Sequence, residues 1–393
     1  MDNIRFLLIF SFGLLVFMLY QQWQIDYGPK PPAPAAVESA PANTKEDLPN
    51  ASGEAAPATA AASPGQATVP MTAIAAPESK IVKIKTDVIA LEIDLTGGTI
   101  QNLDLLAYPV QQSNTVVDAL RRMVGWEPET IDRSPVRIFN AENDKIFIAQ
   151  SGLISNDGSA TAPTHHTVFA SDKDSYTLQD GQDILTVPLT WTDSSGLKVT
   201  KSFTFTRGSY EIKLAQKIDN ESDKSWSGRQ YSQLLRTPPK ENSGSALAGG
   251  MRAYNGGVIY TEKDKYKKID FDDMREEALD TSSKGGWTAF IQHYFASAWI
   301  PPVDQENHFY TKWLQEDDRY VIGTYSPTVT VPAKDSLNLT ASLFAGPKIQ
   351  PVMEKVAKGL ELTVDYSVLT FIGKPIYALL NKIHSFTHNW GLA

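Results

Sequence analysis

VIALEIDLTGGTIQNLDLL, residues 88–106, alternates apolar and polar side chains on both sides of Gly97-Gly98. Such alternation gives a strand one face for a core and one for water. A Gly-Gly pair accepts the positive φ angles of a two-residue turn, so the stretch predicts a β-hairpin. The pattern recurs along the chain. ILTVPLTWTDSSGLKVTKSFTFTRGSYEIKLAQKIDN, residues 184–220, predicts three strands broken at Asp193–Gly196 and Arg207–Ser209. VIGTYSPTVTVPAKDSLNLTASLFAG, residues 321–346, predicts at least two more, with Pro332 and Asp335 in the turn. No helical period intervenes between the strands. Residues 80–348 therefore read as mainly β, a large antiparallel sandwich enlarged beyond the usual small form.

Composition limits the chemistry. The chain has 393 residues, 42% of them apolar, a globular proportion. It has no cysteine, which excludes disulfides, a thiol nucleophile and cysteine-ligated zinc. The net charge is −9 and no block of five basic residues occurs, so nucleic acid is not an expected partner.

Residues 1–27 read as a membrane anchor. No charge interrupts Phe6 to Tyr20, and Ile4 to Trp23 makes about 30 Å of helix. Phe6, Leu7, Leu8, Leu14, Leu15 and Phe17 would face lipid, with Tyr20 and Trp23 at the interface. Bulky residues follow the apolar run where a cleaved signal would have small ones, so the anchor is retained. Arg5 before it and Asp26 after it place the N-terminus in the cytoplasm and the rest outside. Residues 28–79, dominated by Ala, Pro, Ser, Thr and Gly, read as a disordered tether.

Residues 349–393 read as helical. QPVMEKVAKGL, residues 350–360, predicts a short helix ending near Gly359. A second helix starts at Pro375, a residue suited to the first helical position. Ile376, Leu379, Leu380, Ile383, Phe386 and Trp390 share one face, with Lys374, Asn381, Lys382, Ser385 and Asn389 around the other. An aromatic-rich face opposite lysines suits a helix lying in a bilayer interface.

The residues carry little sign of catalysis. No serine sits in a nucleophile elbow and no Gly-rich loop cradles phosphate, so no catalytic group and no cofactor is expected. Gly249-Gly250 and Gly256-Gly257 flank MRAYN and read as turns. His165 and His166 are adjacent, and on a strand they would point to opposite faces and share no ligand. His384 and His388 have the spacing of a helical metal pair but no zinc motif around them, so no metal is expected. The unusual stretch is GGWTAFIQHYFASAWIPP, residues 285–302, which follows an acidic loop, FDDMREEALDTSSK. Its Trp287, His293, Tyr294 and Trp299 are candidates for a partner surface or groove, although such density also makes core.

Several stretches resemble the YidC family, bacterial inner-membrane protein insertases of the Gram-negative type. They are MDNIRFLLIF…QQWQ, LEIDLTGGTIQNLDLLAYP, GGWTAFIQHYFASAWIP and LTVDYSVLTFIGKPIYALLNKIHSFTHNWG. The resemblance spans essentially the whole chain. It implies an anchor, a tether, a periplasmic β-supersandwich similar to galactose mutarotase folds, and an interfacial helix leading to a second transmembrane helix. The family's five-helix core would follow Gly391, so the sequence reads as the N-terminal part of an insertase without its insertion core. Implied partners are the Sec translocon, nascent inner-membrane proteins and the phospholipid bilayer.

A membrane insertase and chaperone component is thus the expected function. The alternative is a stand-alone anchored periplasmic module that binds sugar or peptide. A carbohydrate-active enzyme would need His165, His166, His293 or His308 as acid or base. The chain is not expected to be an enzyme.

Overall fold

The structure, a computed structural model, describes residues 47–49, 80–111, 123, 132–142, 144–156, 161–239, 254–364, 379–380, 382–383, 385 and 387. The expected anchor residues Phe6 to Trp23, most of the tether, and Ile376, Phe386 and Trp390 lie outside them. Among the described residues no helix is long and apolar enough to cross a membrane.

The chain order of strands is β1 (Ile81–Lys85), β2 (Ile89–Asp94), β3 (Thr99–Pro109), β4 (Pro135–Phe139), β5 (Phe147–Ser155), β6 (Ser175–Thr177), β7 (Ile184–Thr192), β8 (Leu197–Thr206), β9 (Glu211–Asn220) and β10 (Trp226–Arg236). It continues with β11 (Gly256–Thr261), β12 (Lys265–Ile269), β13 (Asp280–Lys284), β14 (Trp287–Ile291), β15 (Phe295–Ile300), β16 (Glu306–Leu314), β17 (Arg319–Tyr325), β18 (Val329–Val331) and β19 (Asp335–Pro347). Helix α1 (Phe271–Glu276) lies between β12 and β13, and α2 (Gln350–Val356) follows β19.

Two sheets form. One has 11 strands in the order β13-β16-β17-β10-β5-β3-β2-β1-β6, with β18 on β10 and β4 on β3. The other has eight, in the order β12-β11-β14-β15-β19-β9-β8-β7. Pairing is antiparallel except between β1 and β6. The expected mainly β, antiparallel two-sheet architecture is what the chain adopts.

The opening hairpin is β2–β3, with Asp94 opposite Thr99 and Gly97 and Gly98 at φ +74° and +60°. The three strands expected in 184–220 are β7, β8 and β9. Their buried residues alternate, as in β9, where Ile212, Leu214, Gln216 and Ile218 point inward. Between the sheets lies one large apolar core, with Ile93, Leu103, Phe139, Phe203, Leu234, Phe290, Trp299, Ile322 and Phe344.

Two readings are corrected. The acidic stretch 271–284 is not a loop. Asp270 and Asp273 form a reciprocal capping box that starts α1, which buries Met274, and residues 280–284 are a strand. Gly256-Gly257 is not a turn but the start of β11. A Cβ at Gly257 would overlap the Met274 methyl, so this glycine allows close packing of α1.

Candidate functional site

The aromatic stretch folds as the hairpin β14–β15, with Thr288 opposite Trp299. Residues facing one another in an antiparallel pair share a face. Trp299 therefore points between the sheets, where its Nε1 donates to the Gln233 carbonyl on β10 at 3.0 Å. Trp287 points to the other face, stacked on Tyr260 at 5.8 Å, and donates to the Lys358 carbonyl at 3.1 Å. Both tryptophans are 1% exposed. That corrects their candidacy as partner surface: two large rings with satisfied N–H groups belong to the core. His293 and Tyr294 stay outside, at the hairpin tip. Tyr294 is 69% exposed, and His293 beside it is exposed too.

A cleft of about 440 Å³ lies beside the hairpin, lined by Tyr260, Glu262, Lys284, Trp287, Val303 and Lys358. Only an edge of Trp287 reaches it. Lys358 pairs with Glu262 at 2.9 Å across the rim. The segment following β19 closes this side. Met353 of α2 and Leu360 of the 3₁₀ turn Leu360–Thr363 are fully buried against the eight-stranded sheet. The last continuously described residues are thus fixed to the sandwich. Beyond them, Leu379, Leu380, Lys382, Ile383, Ser385 and Thr387 are helical, with Leu379 58% exposed.

A polar cluster escaped the sequence reading. His165 and His166 do not occupy a strand but a turn, and both imidazoles converge on one carboxylate. His165 Nε2 is 2.7 Å from Asp47 Oδ2, and His166 Nε2 is 3.0 Å from Oδ1. The strand argument failed because neighbouring turn residues need not diverge. The turn is placed by the first hairpin. Gly97 donates its N–H to Thr167 at 2.7 Å, and a side chain at Gly97 would overlap the His165 backbone. The Tyr231 hydroxyl accepts the His165 N–H at 2.9 Å and lies 2.6 Å from Nδ1. Gly152, opposite Tyr231 on β5, leaves room for that hydroxyl.

Electrostatics follow from this geometry. Burial alone would push the Asp47 carboxyl up, but hydrogen bonds from the two histidines outweigh it and hold it well below the usual carboxylate range. Burial pushes His165 down against the pull of Asp47. The hydrogen bond to Asp47 raises His166. Lys201, fully buried, donates to the Gly97 and Ser151 carbonyls at 2.5 and 2.8 Å and lies over Phe169 and Phe203. Burial pushes its ammonium down to about 7.

His308, on β16, is 2.6 Å from Asp280 and stacks on Tyr325, far in sequence from the other histidines. His384 and His388 lie outside the described residues. Among the described residues, Asp47, His165 and His166 form the single group of three whose donor atoms lie close enough to share an ion.

Comparison with known proteins adds the lineage. A family model described as the YidC periplasmic domain matches residues 122–379. Membrane protein insertase YidC of Methylococcus capsulatus is 46% identical over 393 residues, covering 100% of this chain and 66% of its own length. The same-named protein of Nitrosococcus oceani is 36% identical, covering 100% and 67%. That of Pseudoalteromonas atlantica is 37% identical, covering 100% and 66%. The chain therefore spans about two thirds of the length of these relatives. Among solved structures, a galactose mutarotase-like protein of Lactobacillus casei superposes with a TM-score of 0.42 and 11% identity, over 68% of this chain and 100% of that one. Superposition at that level carries nothing about chemistry.

Proposed function

The chain belongs to the YidC family of membrane protein insertases, and on that premise we propose that it serves as the anchoring and periplasmic part of insertion machinery for nascent inner-membrane proteins. Residues 1–27 hold it in the inner membrane with the N-terminus in the cytoplasm. Residues 28–79 tether residues 80–348 in the periplasm. Residues 349–393 lead the chain back to the bilayer, where Ile376, Leu379, Leu380, Ile383, Phe386 and Trp390 lie in the interface. The Sec translocon is the proposed partner on the periplasmic side.

One observation carries this reading: the identity to relatives named as insertases runs the whole length of the chain. The fixed exit of the chain supports it. With Met353 and Leu360 buried, the sandwich sets the position from which the interfacial helix departs. Exposed Tyr294 and His293 at the tip of β14–β15 are proposed contact residues. The stand-alone sugar- or peptide-binding module is not favoured, since the relatives are named for insertion.

The test is a photo-crosslinking amino acid at Tyr294, in the intact chain expressed in Gram-negative cells. Crosslinks to a stalled nascent membrane protein or to translocon subunits, with the chain resistant to carbonate extraction, are expected. Equal crosslinking to a stalled soluble protein, or extraction of the chain by carbonate, would overturn the proposal.

A further inference from the structure

The carboxylate bound by His165 and His166 comes from within the tether. Asp47, Leu48 and Pro49 are seated on the 11-stranded sheet, on the side away from the main core. Two hydrogen bonds and the burial of Pro49 hold them besides the two imidazoles' shared carboxylate. Gln233 Nε2 donates to the Asp47 carbonyl at 3.1 Å, and Lys312 Nζ to the Leu48 carbonyl at 3.3 Å. Pro49 is buried. Gln233 is itself fixed, donating to Gln150 Oε1 at 2.8 Å and accepting from the Tyr310 hydroxyl at 2.6 Å. Gln233 and Tyr231 are 0% exposed and His165 is 3% exposed. This is a built polar socket, its donors aligned from β10, β16 and the 161–166 segment.

The hydrogen inventory separates a peptide socket from a metal centre. The Tyr231 hydroxyl accepts the His165 backbone N–H and has one proton that it can give to His165 Nδ1. Nδ1 is then the acceptor, and Nε2 carries the hydrogen that Asp47 receives. A metal ligand needs Nε2 bare and Nδ1 donating. That tautomer is the one that donates to a carboxylate. His166 adds a second donor to the same group, and the two main-chain carbonyls are read by amide and ammonium donors. The socket thus recognises an extended acidic peptide by its carboxylate and its backbone.

We propose that this face is a docking site for the Asp47–Pro49 segment of the chain's own tether, forming a releasable latch between the membrane anchor and the β domain. Docked at Asp47, the chain has residues 28–46 in place of 28–79 as the spacer between anchor and domain. The reach of the domain from the bilayer falls from an upper limit of roughly 180 Å to roughly 65 Å at ~3.5 Å per residue. The tether raises the local concentration of its own ligand, so a free acidic peptide competes only when the latch is open.

The chain has no cysteine, which allows unique labelling. Spin labels on Asn50→Cys and Lys145→Cys in the intact detergent-solubilised chain report the distance between the tether and the domain. A single narrow distribution is expected, broadening several-fold in Asp47→Ala. Asp47 lies outside both sheets, so the melting temperature of that variant should stay within a few degrees. A capped hexapeptide Lys-Glu-Asp-Leu-Pro-Asn should bind Asp47→Ala with millimolar affinity, bind the wild-type chain at least tenfold more weakly, and fail on Asp47→Ala/His166→Gln. An equally narrow distribution in Asp47→Ala, or a broad one in the wild-type chain, would overturn the latch. So would one equivalent of zinc, added as the chloride alone, binding in the micromolar range and lost in Asp47→Ala, since that result describes a metal centre.

Discussion

Lys201 shows how a single buried charge reports the fold. Its alternating position on β8 predicts an inward side chain, and the structure seats its ammonium on the Gly97 and Ser151 carbonyls. Burial lowers its pKa from 10.5 to about 7, so between those values the unfolded chain binds a proton that the native chain does not. Stability contributed by neutral Lys201 is complete above the unfolded value and is lost as pH falls toward about 7. Urea unfolding should therefore show stability rising from pH 8 to pH 10 with a slope of up to about 1.4 kcal/mol per unit. Lys201→Met should abolish that slope. A wild-type curve flat over the same range would contradict the assignment. Gly286 makes a second residue-scale case. Its φ is +95°, and a Cβ there would overlap the Tyr260 carbonyl oxygen. Gly286→Ala should cost about 2–4 kcal/mol, through backbone strain and overpacking together. Gly208→Ala, at φ +70° in open space, should cost only about 1 kcal/mol. Equal urea midpoints for the two variants would remove the steric argument.

Among elements, β14 is the most instructive. WTAFI is buried at every position, because the inter-sheet core covers one face and the segment after β19 covers the other. The aromatic density in the sequence thus marks a doubly covered strand, and only the turn that follows reaches solvent. The same contact anchors the exit of the chain. Met353→Ala should cost about 2–5 kcal/mol by leaving a cavity under α2. Hydrogen exchange should accelerate at least tenfold across residues 350–363 and stay unchanged in β2–β3. Trp287→Phe keeps the stack on Tyr260 but loses the bond to Lys358, at a cost of about 1 kcal/mol. Uniform acceleration throughout the sandwich would show that the segment is not a separable unit.

For the whole molecule, the latch makes the coupling between tether and domain depend on pH. The groups facing Asp47 are His165, His166, Tyr231 and Tyr310, and Lys201 acts on His165. His166 is raised by Asp47, so its contribution is present below 6.5 and lost as pH rises through its elevated pKa. Asp47 also pulls His165 up, against the burial that lowers it, so protonation of His165 favours docking as well. Docking should therefore be strongest on the acid side of 6.5 and weaken as pH rises through the elevated His166 pKa. In His166→Gln the alkaline decline should vanish, as read from the width of the Asn50→Cys to Lys145→Cys distance distribution. A width independent of pH in the wild-type chain would sink this coupling. Local chemistry made much of the molecule legible before any coordinates. Period-two alternation and paired glycines determined the strands and the β2–β3 turn, because both act over a few neighbouring residues. The acidic helix α1 was hidden because its capping box uses Asp at both positions, in a stretch whose charges read as a loop. The burial of Trp287 and Trp299 and the meeting of Asp47 with His165 and His166 were decided only in three dimensions. Each depends on segments far apart in the chain brought into contact by sheet pairing. No local period records which distant carbonyl a tryptophan will reach, or which carboxylate two neighbouring histidines will share.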